Sequence, residues 1–225
     1  MSVETRQFVE GVLLVFAALL PIVNPFGGAP VFLAMTADCT PDLRKALATR
    51  VARNAFVLLF GSIFVGSYVL AFFGLSVPIV QVAGGLIVCG LGWDLLRQES
   101  HAPSEATSAG GGASDIATRA FYPLTLPLTV GPGTISVAIT LGANHATNVP
   151  SVVANAAAEL IGVTLIAATI LVCYRYADRM LRMLGPAGTG VLVRLSAFIL
   201  LCIGVQIFWN GVSALLDSLP WLKAR

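Results

Sequence analysis

Long apolar runs separated by short polar stretches dominate the chain. Six apolar segments occur, at about residues 8–35, 55–75, 77–96, 120–141, 149–174 and 191–216. A helix needs about 20 apolar residues to cross the hydrocarbon core of a bilayer. Hydrocarbon offers no partners to backbone amides and carbonyls, so only helices and closed barrels cross it. Continuous apolar segments of this length predict an all-α polytopic membrane protein with six transmembrane helices.

The polar stretch between the third and fourth segments divides the pattern into two halves. Residues 97–119 read RQESHAPSEATSAGGGASDIATR, which is polar, rich in Gly, Ser and Ala, and without periodicity. Such a composition is typical of a flexible linker. The sequence therefore predicts a first three-helix repeat at residues 1–96, a flexible cytoplasmic loop at 97–119 and a second three-helix repeat at 120–225.

Prolines recur with one spacing in the first segment of each half. The stretch PIVNPFGGAP at 21–30 and the stretch PLTLPLTVGP at 123–132 both have proline at their first, fifth and tenth positions. A weaker match aligns residues 81–89 with 194–202. Three crossings in each half bring the second half into the membrane from the opposite side. A duplicated unit must therefore be an inverted repeat.

Proline and glycine also interrupt these two segments. Residues 25–30 (PFGGAP) and 127–133 (PLTVGPG) are too unfavourable for helix to continue one. Each is predicted to be an unwound loop between two half-helices near mid-membrane, which makes the first and fourth helices discontinuous. Amides at the start of a half-helix can hold a carboxylate. A simple kink or a re-entrant packing element is the alternative.

Paired breaks at matching positions of two halves are the best sequence indication of a transporter site. The predicted substrate-binding residues are Asn24, Pro25, Gly27, Gly28, Ala29, Pro30, Thr129, Gly131, Pro132, Gly133 and Thr134.

Composition and charge agree with a membrane location. Hydrophobic residues make up 57% of the chain and charged residues 11%, with a mean hydropathy of +0.88. The net charge of +2 and the lack of a basic run argue against nucleic-acid binding. Nine basic residues fall in the connections on one side: Arg44, Lys45, Arg50, Arg53, Arg97, Arg119, Arg175, Arg179 and Arg182. The positive-inside rule places them in the cytoplasm and both termini outside the bacterial cytoplasmic membrane.

Two charged residues fall well inside predicted helices. Glu159 lies about 15 Å from the outer edge of its helix at the helical rise per residue, and Asn155 precedes it by one turn on the same face. Glu159 is interpreted as a proton carrier, with Arg194 as its ion-pair partner or as a contact for the substrate carboxylate. The alternatives are a purely structural pair, a neutral Glu159 that is satisfied by backbone groups, or an Arg194 that extends to the interface. Asp94, near a helix end, is expected to be solvated or to cap the helix.

The sequence gives little support to an enzyme. Its histidines, His101 and His145, both fall in loops. No Walker-type phosphate loop occurs, and the four cysteines form no C-x-x-C pair. We therefore expect no catalytic residues, no bound metal and no cofactor.

Three stretches resemble the MarC family of bacterial inner-membrane proteins. They are NPFGGAPVFLAMT at 24–36, QVAGGLIVCGLGWDLL at 81–96 and YPLTLPLTVGPGTIS at 122–136. The resemblance covers nearly the whole chain and implies six helices in two inverted three-helix repeats. For some members it also implies transport of small neutral amino acids such as glycine and alanine, coupled to protons or cations. Related sequences usually have arginine at the position of Gln81, whereas Arg194 keeps the basic residue in the matching segment.

The leading hypothesis is therefore a secondary transporter of a small zwitterion, a neutral amino acid, working by alternating access. A proton or sodium ion is the expected coupling ion, and the lipid bilayer is the expected environment. A non-transporting membrane scaffold is one alternative. Export of another small molecule or of a lipid carrier is a second.

Overall fold

The computed structural model describes residues 3–97, 113–143 and 149–218, and within these ranges the chain forms helices and no strand. The helices are α1 (Val3–Val23), α2 (Pro25–Met35), α3 (Pro41–Phe72), α4 (Val77–Arg97), α5 (Ala113–Arg119), α6 (Pro132–Ala143), α7 (Val149–Arg175) and α8 (Ala177–Asp217). The irregular segment Ala120–Thr129 connects α5 to α6. The predicted all-α membrane architecture is confirmed. His101, His145 and most of the predicted flexible loop lie outside the described residues.

Five helices are long and apolar enough to cross a membrane: α1, α3, α4, α7 and the part of α8 from Ala187 onward. Residues 116–129 and 132–143 form a further pair, bent by 72°, that together meets the same criterion. The part of α8 before Ala187 is separated from this long span at Gly185, whose φ of 65° lies in the left-handed region that glycine adopts without strain. The apolar surface of the bundle, with Tyr68 and Phe72 largely exposed, is typical of helices that face lipid.

Helical structure extends beyond the predicted apolar segments at two places. Helix α3 begins at Pro41 rather than near residue 55, because Thr40 caps it and Pro41 occupies the first helical position, which needs no amide. Helix α5 occupies the end of the predicted loop at 97–119, and residues 98–112 are not described. Hydropathy locates the part of a helix that lies in lipid and misses the polar turns outside it.

Glycines bring α4 and α8 into close contact along their length. A Cβ atom at Gly92 of α4 would lie 2.7 Å from the amide nitrogen of Leu201. A Cβ atom at Gly204 of α8 would lie 2.6 Å from the amide nitrogen of Cys89. Both are backbone contacts that a side chain would push apart. Small residues that let helix backbones approach are a common means of helix association in membranes.

The other helices pack around this pair. Helix α1 packs against α7, and α3 packs against both α6 and α7. Helix α2 lies against α8, and α6 lies against α4. Small residues mediate the α1–α7 contact, since a Cβ atom at Gly11 would lie 3.3 Å from the Cβ of Ala158, and one at Gly162 would lie 2.6 Å from the side chain of Val15. Ala158 and Gly162 therefore lie on the face of α7 that contacts α1.

Two ion pairs join the basic connections at one end of the bundle. Arg44 of α3 donates to Asp178 at the start of α8 (2.7 Å) and to the carbonyl of Thr36 (2.9 Å). Arg119 of α5 donates to both carboxylate oxygens of Asp38 (2.7 Å each) and to the carbonyl of Met35. Because these contacts unite the α2–α3, α5 and α7–α8 regions, we call this end the arginine-rich end. The arginines also satisfy the carbonyls that end α2.

The glycine contact predicts different outcomes at two positions of α4. Gly92→Ala should destabilise the protein by about 1–3 kcal/mol, because the added methyl group overlaps the backbone of α8. Gly90→Ala is the matched control, since a Cβ atom there meets nothing within 4 Å. Thermal unfolding of the purified protein in detergent measures both. Equal melting temperatures for the two variants would contradict the packing.

The Asp38–Arg119 pair predicts a dependence of stability on pH. Hydrogen bonds from Arg119 and its positive charge hold the pKa of Asp38 at about 2, below its ordinary 3.8. The stabilisation is therefore present above about pH 4 and is lost as the pH falls towards 2. The side chain of Asp38 is 61% exposed, so the contribution is at most about 1 kcal/mol.

Asp38→Asn should accordingly lower the melting temperature at pH 5, and its difference from the wild type should shrink towards pH 2.5. Asp42→Asn is the control, because Asp42 is almost fully exposed and pairs with Lys45 within the same helix. A difference that does not change with pH would contradict this assignment.

Candidate functional site

Both interrupted spans line one cavity of about 350 Å³. The predicted binding residues that line it are Asn24, Gly27, Gly28, Thr129, Gly131, Gly133 and Thr134. Pro25, Ala29, Pro30 and Pro132 belong to the same turns but are not among the lining residues of this described cavity. The rest of the wall is mostly apolar and includes Ile22, Val31, Val88, Leu91, Leu128 and Leu200. The structure thus brings together residues that lie about a hundred positions apart in the chain.

The first break is a single residue. Asn24 adopts a left-handed conformation (φ 46°, ψ 56°), which asparagine tolerates better than most residues. Its side-chain oxygen accepts from the amide of Gly27 at 3.1 Å, and its carbonyl accepts from the amide of Gly28 at 2.8 Å. Helix α2 continues through Pro30, so residues 25–30 are helical rather than an unwound loop. This corrects the predicted extent of the break, and it means that Asn24 engages amides expected to be free.

The second break is longer and irregular. Tyr122 and Leu126 have extended backbone conformations, the peptide bonds that follow them are cis, and Val130 is extended as well. The hydroxyls of Thr125 and Thr129 donate to carbonyls five residues earlier, at 2.6 and 2.7 Å. These side chains replace part of the missing helical ladder, as buried backbone requires. The break ends at Gly131, and Pro132 and Gly133 already belong to α6.

The start of α6 presents amides that no side chain caps within the described residues. The first hydrogen bond of this helix runs from the amide of Ile135 to the carbonyl of Gly131, at 3.1 Å. The amides of Gly133 and Thr134 precede that bond. Thr134 is only 3% exposed, and its hydroxyl makes no hydrogen bond with a described residue. Both residues line the cavity, so this wall carries the partial positive charge of a helix start.

Tyr174, near the end of α7, connects the two interrupted spans. Its ring is fully buried and stacks on Phe32 of α2 at a centroid distance of 4.5 Å. Its hydroxyl lies 3.0 Å from the hydroxyl of Thr129. A Cβ atom at Gly28 would lie 2.7 Å from the same hydroxyl. Glycine is therefore needed at position 28 for packing. Sequence reasoning missed Tyr174, since a tyrosine near a helix end has no local feature that marks such a role.

The cavity lies towards the arginine-rich end of the bundle. Tyr174, which contacts residues of both interrupted spans, immediately precedes Arg175. Asp94, in the cavity wall, lies three residues before Arg97. Helix α1 has 21 residues and is about 31 Å long at helical rise, so the first break follows a helix that could cross the hydrocarbon core alone.

The residues considered for ion coupling do not line the described cavity. Glu159 is 7% exposed on α7 and lies fifteen residues before Tyr174, or about 22 Å along the helix. Asn155 is partly buried one turn earlier. Arg194 is exposed on α8, and Gln81 of α4 donates to the hydroxyl of Thr140 on α6 at 3.2 Å.

Asp94 is a wall residue that sequence reasoning placed elsewhere. It was expected to be solvated or to cap a helix; it is exposed, but it also lines the cavity. Val88, Leu91 and Leu95 line the same wall, and their spacing of three and four residues identifies the α4 face that includes Asp94. Asp94 is the charged member of the lining described here. This helical spacing is the sequence feature that could have indicated that Asp94 shares a face with the apolar lining residues of α4.

Comparison with known proteins agrees with this architecture. A profile described as MarC family integral membrane protein matches residues 9–216. The chain is 31% identical to the inner membrane protein MarC of Salmonella typhimurium over 206 residues, covering 89% of this chain and 93% of that protein. It is 29% identical over 206 residues to the membrane protein YvbG of Bacillus subtilis, covering 91% and 95%. No solved structure matches the chain.

The contact between Gly28 and Tyr174 predicts a rescue by a second substitution. Gly28→Ala should destabilise the protein by about 1–3 kcal/mol, because its methyl group would overlap the tyrosine hydroxyl. Tyr174→Phe removes that oxygen, and the nearest remaining ring atom would then lie 3.5 Å away.

The double variant should therefore be more stable than the sum of the single effects predicts. A double-mutant cycle from melting temperatures in detergent measures this coupling. Additive effects would show that α2 does not pack on Tyr174 in this way.

Proposed function

The chain belongs to the MarC family of integral membrane proteins, and we propose that it is a secondary transporter of a small neutral amino acid such as glycine or alanine. The observation that carries this proposal is the cavity that two interrupted spans from different halves of the chain line together. Its volume of about 350 Å³ is at the low end of the range for ligand sites, which favours a small substrate. Interrupted helices that supply backbone dipoles to a ligand are a recurrent feature of secondary transporters.

We also propose that six spans form two inverted three-helix repeats. Helices α1–α2, α3 and α4 make up the first repeat, and α5–α6, α7 and α8 the second. Reciprocal packing supports this arrangement. Helix α1 packs on α7, and its counterpart in the second repeat, the segment Ala120–Thr129, packs on α3. In the same way α2 packs on α8, and its counterpart α6 packs on α4. With the arginine-rich end in the cytoplasm, both termini lie outside the inner membrane.

Coupling to a proton or sodium gradient is part of the proposal. Glu159 is the candidate proton carrier, because it is a buried carboxyl group within a span. It lies on the same helix as Tyr174, which contacts both interrupted spans. A movement of α7 would therefore transmit a change at Glu159 to the cavity, about 22 Å away along the helix axis.

A second candidate is export of a small molecule or lipid carrier that enters from the bilayer. Leu91 and Pro127 favour it, because both are apolar, line the cavity and are exposed. The accessible part of the lining is therefore apolar at these two residues. An amphiphilic substrate would compete with amino acids for transport under this alternative.

Uptake into proteoliposomes tests the proposal. Labelled glycine or alanine should accumulate under an imposed proton or sodium gradient, and dissipating the gradient should abolish accumulation. Folded protein that transports no neutral amino acid under either gradient would refute the substrate assignment.

A substitution in the cavity wall distinguishes transport through the cavity from other routes. Leu91→Trp should reduce the uptake rate severalfold or more, because Leu91 is 37% exposed and a larger ring can fold in without disturbing the core. Leu86→Trp is the matched control on the same helix, since Leu86 is exposed and lies outside the lining. Equal uptake by the two variants would contradict a cavity route.

A further inference from the structure

We infer that the cavity holds its zwitterion in one orientation, with the carboxylate at the start of α6 and the ammonium group at Asp94. This inference rests on the proposed function and assigns each charged end of the substrate to a wall. Two observations carry it independently. One is the polar character of the α6 start, and the other is the placement of an acidic side chain on the α4 wall of the cavity.

The start of α6 is suited to a carboxylate. The amides of Gly133 and Thr134 precede the first hydrogen bond of the helix, and no described side chain accepts from them. The Thr134 hydroxyl, on a residue 97% buried, also makes no hydrogen bond with a described residue, although Thr134 lines the cavity. A bound carboxylate oxygen would accept a hydrogen bond from this hydroxyl.

The start of α2 does not offer the same site. Asn24 accepts from the amide of Gly27 with its side chain and from the amide of Gly28 with its carbonyl. The helix therefore caps itself, and a carboxylate would have to displace these bonds. The two interrupted spans consequently play different chemical roles, although their prolines are spaced alike.

Asp94 is suited to an ammonium group. A carboxylate accepts hydrogen bonds from an ammonium group, and such charge-assisted bonds are stronger than neutral ones. Within the described lining there is no Lys or Arg to neutralise Asp94 or to compete for the substrate carboxylate. The two walls therefore present opposite electrostatic preferences to the substrate.

The separation of these walls fits one α-amino acid. A Cβ atom at Gly133 would overlap the side chain of Val88, so the start of α6 lies level with Val88 on α4. Asp94 is six residues further on, or about 9 Å along the helix. Helical side chains lean towards the N-terminus, which shortens this separation. An α-amino acid with a hydrogen bond at each end spans up to about 9 Å. A simple amine or carboxylic acid of similar size carries one charged group and therefore makes a charged contact with only one of the two walls.

Competition for alanine uptake tests the orientation, measured as equilibrium exchange so that no gradient contributes. With the wild type, alanine should compete at least about tenfold better than propionate or ethylamine, because each analogue loses one charged contact. Asp94→Asn should raise the KM for alanine about tenfold or more and leave inhibition by propionate unchanged. Thr134→Val should weaken both alanine and propionate.

Matched variants outside the cavity control for nonspecific effects. Asp217→Asn makes the same change at an exposed aspartate near the end of α8. Thr164→Val makes the same change at an exposed threonine whose hydroxyl bonds to its own helix. Both should retain the wild-type KM.

The outcomes separate this inference from the transport proposal. If the wild type exchanges no neutral amino acid, both are overturned. If it exchanges alanine but Asp94→Asn keeps the wild-type KM, or propionate and ethylamine compete as well as alanine does, the orientation is overturned while transport stands. If Asp94→Asn does not fold, the competition by the two analogues on the wild type decides alone.

Discussion

Backbone groups in hydrocarbon must find partners inside the protein, and this constraint governs how the two spans of this protein can be interrupted. At the first break, one asparagine supplies both a left-handed turn and the cap for the next helix. At the second, two threonine hydroxyls bond to carbonyls that the irregular chain leaves without helical partners. Each interruption persists because side chains next to it in sequence form hydrogen bonds with most of the backbone groups that have lost their helical partners.

The same constraint explains why the breaks meet. An interrupted span facing lipid would expose polar backbone groups, whereas two interrupted spans facing each other keep those groups inside the protein. Tyr174 fixes their relative position by stacking on Phe32 and by approaching the Thr129 hydroxyl. The amides at the start of α6 are not capped by a described side chain and can therefore bind a ligand. The need to keep unpaired backbone groups inside the protein thus also creates a candidate binding site.

Contacts at the arginine-rich end limit how the helices around the cavity can move. Two ion pairs, Arg44–Asp178 and Arg119–Asp38, each join the first half of the chain to the second close to the cavity. The glycine-mediated α4–α8 contact joins the halves along the whole bundle. Any alternating-access movement must keep or exchange these contacts. The ion pairs, being partly exposed, are the weaker of the two sets.

The sequence by itself determined the membrane class, the family and the approximate positions of both breaks. Apolar length, proline and glycine express local backbone physics, so they are readable without a fold. The sequence could not determine how many residues of each break leave the helical conformation. That depends on whether a neighbouring side chain caps the chain, as Asn24 does for α2.

Tertiary structure alone decided which residues share the cavity. Asp94 and Tyr174 belong to the site because α4 and α7 are placed against the interrupted spans, and that placement depends on contacts between distant residues, such as Gly28 with Tyr174 and Gly133 with Val88. Glu159 is correspondingly remote from the cavity, although its charge made it prominent in the sequence. Spacing along one helix fixes a shared face, but only packing against other helices fixes what that face contacts.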